Sequence, residues 1–131
     1  MLILSETEAR ALVTMQDAID AVAATFAALD RAEAASYPVV RERLGAHDAV
    51  FGIKTGFDRA AEVLGLKAGG YWPGNAAQGR TNHQSTTVLF DAASGQASAV
   101  VGANYLTAVR TGAAGALAAR HLARQDASCL L

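Results

Sequence analysis

The sequence predicts an α+β fold in which a mostly antiparallel sheet packs with helices. Two helix-capping patterns lie near the N-terminus, strand-like segments and a hairpin fill the middle, and a helical segment rich in alanine and glycine follows. Helices at both ends of hairpin-connected strands are typical of this class. The chain has 131 residues, of which 52% are hydrophobic. It is therefore long enough for one domain with a core and too short for two ordinary ones.

The composition argues against several classes of partner. Charged residues make up 18% of the chain and the formal net charge is -1, which favours a compact globule over a disordered or nucleic-acid-binding chain. The single Cys129 cannot form an internal disulfide, and the N-terminus has no basic region followed by a long apolar core. No segment reaches the uninterrupted apolar length of a membrane span. We therefore expect a cytoplasmic protein that binds neither nucleic acid nor a membrane.

Two helices are predicted at the N-terminus. Ser5 is followed by Glu8 in a capping-box pattern, and Thr14 is followed by Asp17. Apolar residues then recur at three- and four-residue steps along the second helix: Ile19, Val22, Phe26 and Leu29. We expect this face to lie in the core and the helix to run to about Ala35. Because aromatic residues are only 6% of the chain, we expect the helices to pack through small faces.

An extended segment carrying two arginines follows Pro38, which ends the helical pattern. In residues 39–44, VVRERL, strand alternation places Arg41 and Arg43 on the same side. Charges of this kind are also typical of a solvated edge strand, where they discourage aggregation.

Further strands are expected in the middle of the chain. They comprise residues 48–55, 61–68, 84–90 and 96–101. The first two end in the same G-[IL]-K pattern, at Lys54 and Lys67, a likeness that is too short to establish a repeat and that also fits two similar strand exits. The last two flank a loop, residues 91–95, whose length and composition predict a hairpin.

A final helix is expected to begin with a cap at Asn104 or Thr107 and to run to about Arg124. Gly112 and Gly115 form a small-residue face against which we expect a close neighbour. Arg110 and Thr111 lie near the predicted start, where free backbone N–H groups favour an anionic ligand. The alternative is an ordinary first turn with Arg110 in solvent.

Residues 65–91 contain the least ordinary part of the sequence and are interpreted as a binding surface. Lys67 ends an apolar run, the aromatic pair Tyr71 and Trp72 follows, and a glycine- and proline-containing loop leads to a polar cluster at residues 82–84. The alternative is a core strand, a tight turn and a second strand, with Lys67 solvated.

The last five residues, 127–131 (ASCLL), predict a buried strand. A buried parallel strand needs neighbours on both sides and helices over both faces, and the preceding sequence provides none. We therefore expect the chain to stop at the first strand of a second domain. Neither a G-x-G-x-x-G pattern nor a phosphate-loop lysine occurs in the sequence.

Three segments together resemble the ornithine cyclodeaminase and mu-crystallin family: GLKAGGYWPGN, NHQSTTVLFDAASGQASAVV and NYLTAVRTGAAGALAARHLARQDA. The resemblance extends from about Pro38 onward. It implies a two-domain, nicotinamide-dependent enzyme whose first domain forms a homodimer and holds the substrate, and whose second domain is a Rossmann-type dinucleotide-binding fold. Residues 1–126 would then be the substrate-binding and dimerisation domain, and residues 127–131 the start of the truncated dinucleotide-binding domain.

The resemblance also implies roles for individual residues. Lys67 matches the substrate-site lysine, to which we assign a catalytic role, and Arg110 matches an arginine shared between substrate carboxylate and cofactor. Arg41 is the best match to a further carboxylate-binding arginine, with Arg43 as its alternative. Two more positions are implied near the cofactor: Asn82 and Thr111. No metal is expected, and the family's catalytic carboxylate belongs to the later domain.

These residue types suit an amino-acid substrate. Two arginines and a lysine can fix a carboxylate by charge-assisted hydrogen bonds, so that the Cα faces the nicotinamide of NAD or NADP. Close to other cations, Lys67 should have a lowered pKa and could transfer a proton. We expect a small α-amino or cyclic α-imino acid, as in conversion of ornithine to proline or reduction of pyrroline-2-carboxylate. The alternative is a stand-alone module that binds a small carboxylate or only dimerises.

Overall fold

The computed structural model describes residues 1–129, which form a seven-stranded sheet and three α-helices. The strands are β1 (Leu2–Leu4), β2 (Ala34–Ser36), β3 (Val40–Leu44), β4 (Ala49–Asp58), β5 (Val63–Tyr71), β6 (His83–Phe90) and β7 (Ala97–Gly102). The helices are α1 (Glu6–Leu12), α2 (Met15–Asp30) and α3 (Asn104–Leu122), and short 3-10 turns occupy Gly45–His47 and Pro73–Gln78.

The sheet has the order β1-β7-β6-β5-β4-β2, and β3 also pairs with β4. Every pairing is antiparallel except that of β1 with β7. The predicted α+β class with a mostly antiparallel sheet is therefore confirmed. The short strands β1 and β2 were not predicted, because three residues are too few to establish an alternating pattern.

Both N-terminal helices begin where the capping patterns place them. The hydroxyl of Ser5 accepts from the backbone N–H of Glu8, and the Glu8 carboxylate accepts from the backbone N–H of Ser5. Thr14 and Asp17 form the same reciprocal pair. These contacts satisfy backbone donors that the first turn of a helix leaves without partners.

The second helix ends at Asp30, so the prediction that it runs to about Ala35 is wrong. Ala32 takes a left-handed conformation with φ 55°, and β2 then pairs with β4. These alanine-rich residues have a high intrinsic helix propensity, but the ladder with β4 overrides it. The predicted core face is also only partly buried, since Ile19 is 8% exposed but Phe26 is 52% exposed.

The predicted hairpin of β6 and β7 is present, and β4 and β5 form a second one. Strands β4 and β5 pair over their whole shared length and place Lys54 directly opposite Lys67. In the turn between β6 and β7, the Asp91 carboxylate accepts from the Ser94 backbone N–H, and Gly95 takes φ 71°. Such a positive φ favours glycine over other residues.

The last helix begins at Asn104, but neither Asn104 nor Thr107 caps it as predicted. Its N-cap is Ala103, which makes no side-chain cap. The carboxylate of Glu6 accepts instead from the backbone N–H groups of Asn104 at 2.5 Å and Tyr105 at 3.0 Å. This capping group lies far away in the sequence, so no local pattern could reveal it.

The three α-helices pack over one face of the sheet. One core cluster joins Ala9 of α1 to Ala99 and Val101 of β7, and a second joins α2 to α3. Most of the buried core residues are alanines, which confirms packing through small faces. The predicted close neighbour exists at Gly112, where an added Cβ would lie 3.4 Å from Met15 Cε, but nothing lies within 4 Å of the corresponding position at Gly115.

The opposite face of the sheet is largely apolar, although it also carries Glu42, Thr55 and Thr86. Strand register places these side chains together on it: Ile3, Phe51, Ile53, Phe57, Leu64, Leu66, Ala68, Val88, Phe90 and Val100. None of them belongs to either core cluster. Across residues 1–129, then, the helices fill only one side of the sheet.

The segment beyond α3 has little regular structure. Ala127, Ser128 and Cys129 lie in no helix or strand and are exposed, and the remaining two residues of the predicted terminal strand lie outside the described part of the chain. In residues 1–129, no single helix has the length and apolar character that crossing a membrane requires. Taken together, α1 and α2 meet this requirement by length and composition only, and they are bent by 85° relative to each other.

Candidate functional site

A cleft of about 400 Å³ lies between the helix-covered face of the sheet and α3. Strands β3, β4, β5 and β6 form its floor, and α3 forms one wall. Its polar lining includes Arg41, Lys54, Lys67, Tyr71, His83, Thr107 and Arg110. Three of the sequence-predicted site residues, Arg41, Lys67 and Arg110, therefore meet here although they come from different elements.

Lys67 lines this cleft. Strand alternation on β5 directs it toward α3, where its Nζ donates to Thr107 Oγ1 at 3.1 Å. Burial lowers the pKa of Lys67, and the nearby charges of Arg110 and Lys54 lower it further. The lysine therefore gives up its proton more readily than an ordinary surface lysine.

Lys54 was not among the predicted site residues, yet it lines the cleft. It lies directly opposite Lys67 in the β4–β5 ladder, so both side chains project from the same face of the sheet. In the sequence, the only sign of this pairing is the G-[IL]-K ending that the two strands share. The register of the hairpin determines that the two lysines lie opposite each other.

The cleft is lined by Arg41 and not by Arg43. The two arginines share one side of β3, where Arg41 is registered with Gly52 and Arg43 with Val50. Arg43 instead pairs with Asp48 at 3.7 Å, with both side chains exposed. The position of the cleft therefore favours Arg41 as the arginine that could reach a ligand.

Arg110 reaches the cleft from the second turn of α3, one turn beyond Thr107. The expected anion site at the free N–H groups of the helix start does not form around it, because these groups lie at Asn104 and Tyr105 and Glu6 binds them. Thr111 is exposed, and its hydroxyl donates to the Thr107 carbonyl at 2.7 Å. Arg110 therefore contributes its own charge rather than a share of the helix terminus.

Asn82 supports the loop beside the cleft. Its side-chain oxygen accepts from the Ala76 backbone N–H at 2.8 Å, and its amide donates to the Tyr71 hydroxyl at 3.0 Å. The neighbouring His83 lines the cleft opposite Tyr71. Burial lowers the pKa of His83, followed by the charges of Lys67 and Arg110, so its ring is neutral at neutral pH.

A buried polar network holds Thr107 against the sheet. Ser85, 8% exposed, lies with its Oγ 3.3 Å from Thr107 Oγ1, and its backbone N–H donates to Asn104 Oδ1 at 2.7 Å. The Asn104 amide in turn donates to Gln84 Oε1 at 3.0 Å. Because Thr107 accepts from Lys67, this network also fixes the position of the lysine.

The cleft is strongly cationic. Within the described part of the chain its lining has no Asp or Glu, and the salt bridges lie elsewhere, between Arg31 and Glu33, Arg43 and Asp48, and Arg124 and Asp126. Residues 1–129 contain no group of three or more His, Cys, Asp or Glu placed to hold a metal. The arrangement is suited to a small anion, for which charge-assisted hydrogen bonds are strong.

The sequence matches the ornithine cyclodeaminase/mu-crystallin family over residues 1–131. It is 50% identical over 130 residues to the iminosuccinate reductase of Paracoccus denitrificans, covering 99% of this chain and 41% of that protein. It is also 33% identical over 131 residues to a Delta(1)-pyrroline-2-carboxylate reductase of Bacillus cereus, covering 99% of this chain and 40% of that protein.

Solved structures show the same fold. The iminosuccinate reductase of Paracoccus denitrificans in complex with NAD+ has a TM-score of 0.92, covering 98% of this chain and 40% of that chain at 50% identity. An archaeal alanine dehydrogenase dimer with bound NAD has a TM-score of 0.91 and 30% identity, covering 98% of this chain and 39% of that chain. The chain thus spans about two fifths of the length of the relatives it matches.

Proposed function

The chain belongs to the ornithine cyclodeaminase/mu-crystallin family, and we propose on this basis that it is the substrate-binding part of a nicotinamide-dependent enzyme. The substrate is a small α-amino or α-imino acid, and the reaction takes place at its Cα. One observation carries this proposal: Arg41, Lys67 and Arg110 converge on one cleft without a carboxylate among its lining residues in the described part of the chain. The named relatives act on substrates of this class, which supports the assignment.

The cleft binds the substrate through its α-carboxylate. Arg41 approaches from β3 and Arg110 from α3, so two guanidinium groups can hold the carboxylate from different directions. This binding fixes the orientation of the Cα–N bond, and a well-oriented reactant needs less activation free energy.

Lys67 positions and protonates the reacting nitrogen. Its lowered pKa allows the Nζ to hold a proton in one step and to release it in another more readily than an ordinary lysine. The Thr107 hydroxyl, held by Ser85, keeps the Nζ in place. In the direction of imine reduction, Lys67 donates a proton toward nitrogen.

The residues present also suit contact with a nicotinamide dinucleotide, which supplies or accepts a hydride when bound. Arg110 and Thr111 are exposed next to each other on α3, and a cation beside a hydroxyl suits one edge of a pyrophosphate. The start of α3 cannot serve this purpose because Glu6 binds its N–H groups. Asn82 would act on the cofactor indirectly, through Tyr71 and the 3-10 turn at Pro73–Gln78.

We further propose that the protein is a homodimer whose interface is the apolar face of the sheet opposite the helices. An antiparallel sheet is stable with one solvated face when that face is polar, whereas this one is mostly aliphatic and aromatic. A partly exposed apolar face of this kind is typical of a protein interface. The dimeric archaeal alanine dehydrogenase of similar fold supports a second copy as the partner.

The catalytic proposal is tested by removing one cleft charge at a time from the complete protein. We expect Arg41→Gln and Arg110→Gln each to lower kcat/KM for imine reduction by about 100-fold, because each loses a charge-assisted contact to the carboxylate. The assay follows oxidation of NADH or NADPH with cyclic and acyclic imino acids.

Arg43→Gln is the matched control, since it removes the same charge from the same side of β3 outside the cleft. Its activity should stay within about twofold of the wild type. Equal activity of all three variants would contradict the proposed site. A wild-type protein that binds carboxylates but oxidises neither cofactor would instead be a binding module.

A further inference from the structure

The cleft holds more positive charge than one α-carboxylate requires. A carboxylate bears a single negative charge and accepts hydrogen bonds at about four positions, which Arg41, Lys67 and Arg110 can fill. Lys54 is a fourth cation on the same lining. No salt bridge neutralises it within the part of the chain that the structure describes.

The placement of Lys54 is defined by the sheet. Lys54 is registered with Lys67, and Lys67 with Thr87, so the three side chains form one row across β4, β5 and β6. Neighbouring strands lie about 4.8 Å apart, and like charges directly opposite each other destabilise a sheet. A bound anion beside Lys54 removes this repulsion.

A second hollow adjoins the cleft and shares Lys54 with it. It has a volume of about 250 Å³, and Lys54, Lys67, Thr107 and Arg110 line both spaces. Arg41 and His83 belong only to the larger cleft, whereas Thr87 and Leu106 belong only to the smaller hollow. One ligand could therefore place an anionic group on each side of the hydrogen bond between Lys67 and Thr107.

We propose that Lys54, aided by the Thr87 hydroxyl, binds a second carboxylate and makes the site selective for small dicarboxylic imino acids. This assignment rests on the proposed function and names its substrate class. The α-carboxylate lies with Arg41 and Arg110, and the distal carboxylate lies with Lys54. The hydride passes from NADH or NADPH to the imine carbon and a proton passes to the nitrogen, so that an amino dicarboxylate and the oxidised cofactor form while both carboxylates stay unchanged.

The test compares two four-carbon substrates that differ only in the distal group. Oxaloacetate with ammonia gives a dicarboxylic imine, and 2-oxobutyrate with ammonia gives its methyl counterpart. In the complete protein, Lys54→Gln should lower kcat/KM for the dicarboxylic imine by about 10- to 100-fold. The value for the monocarboxylic imine should change by less than about threefold.

Two further variants make the result specific. Lys54→Arg keeps the charge and should retain most of the preference for the dicarboxylic imine, whereas Arg43→Gln should leave both substrates unaffected. Equal losses for both substrates in Lys54→Gln would overturn the assignment, because Lys54 would then act only through Lys67. An unchanged preference in that variant would overturn it as well.

A binding measurement separates this assignment from the proposed reaction. If the wild type reduces no imine, the proposed function fails, and calorimetric titration with L-aspartate and L-2-aminobutyrate still tests Lys54. Preference for aspartate that disappears in Lys54→Gln would support the second carboxylate site. Equal affinity for the two amino acids, or no detectable binding of aspartate, would refute it.

Discussion

At the scale of single residues, Lys67 combines two properties that usually exclude each other. It is partly buried and lies near two other cations, which lowers its pKa from the ordinary value of 10.5, yet it must carry a charge to bind an anion. Thr107 provides the polar partner that makes its burial acceptable. Binding of a carboxylate should therefore begin to weaken at a lower pH than it would with an ordinary lysine.

Carboxylate affinity should fall as pH rises through the lowered pKa of free Lys67. Below that pKa the lysine is charged and attracts the ligand; above it, binding must first recover a proton, so the dissociation constant rises up to tenfold per pH unit. His83 faces the same cleft, but it is already neutral over this range because its pKa is also lowered. Titration of L-proline or L-aspartate at several alkaline pH values measures the effect.

Lys67→Gln provides the control for this assignment. Binding in the variant should be weaker and should lose the pH dependence. A wild-type affinity that stays flat up to the pKa of an ordinary lysine would contradict the role given to Lys67.

At the scale of elements, the N-terminus of α3 is capped by a residue 98 positions away in the sequence. Glu6, the first residue of α1, binds two N–H groups at the start of α3. Gly102, just before α3, allows this approach, since an added Cβ would lie 2.9 Å from the Glu6 backbone nitrogen. The contact couples α1 to the helix that carries Thr107 and Arg110.

Glu6→Ala should lower the free energy of unfolding by about 1–2 kcal/mol, because it removes a carboxylate that both caps α3 and interacts favourably with the helix dipole. Glu6→Gln should cost less, since an amide oxygen can still accept one of the two bonds. Urea unfolding followed by circular dichroism gives the values. Asp126→Ala, which removes one partner of an ion pair whose two side chains are exposed, should change stability by less than about 0.5 kcal/mol. Equal stabilities of the Glu6 and Asp126 variants would show that the cap is dispensable.

At the scale of the whole molecule, the helices cover one face of the sheet and leave an apolar face opposite. In residues 1–129 no large side chain is fully buried, as expected if further protein surface completes the packing. The proposed homodimer would provide that surface and would leave the cationic clefts on the outer, helix-covered sides of the two sheets.

Ile53→Glu should shift the protein from dimer to monomer, because it places a charge in the middle of the apolar face where an interface would bury it unpaired. Sedimentation velocity at micromolar concentration measures the change, and circular dichroism verifies that the variant is folded. Leu122→Glu is the control, since Leu122 is 84% exposed at the end of α3. A monomeric wild type, or a dimer that survives Ile53→Glu, would refute this interface.

The sequence by itself determined the features that depend on short-range patterns. Neighbouring residues were enough to predict the two capping boxes, the hairpin turn at residues 91–95 and the alternation of the central strands. The motif around Lys67 and the one around Arg110 also indicated the family correctly. Capping, turn chemistry and alternation act over a few residues, so neighbouring residues suffice to reveal them.

Only the tertiary structure decided which distant residues meet. The register of β4 with β5 added Lys54 to the cleft, and the course of β3 favoured Arg41 over Arg43. Glu6 replaced the expected caps of α3, and pairing of β2 with β4 ended α2 early. Each outcome depends on contacts between elements far apart in sequence, where packing and strand pairing outweigh weak local propensity.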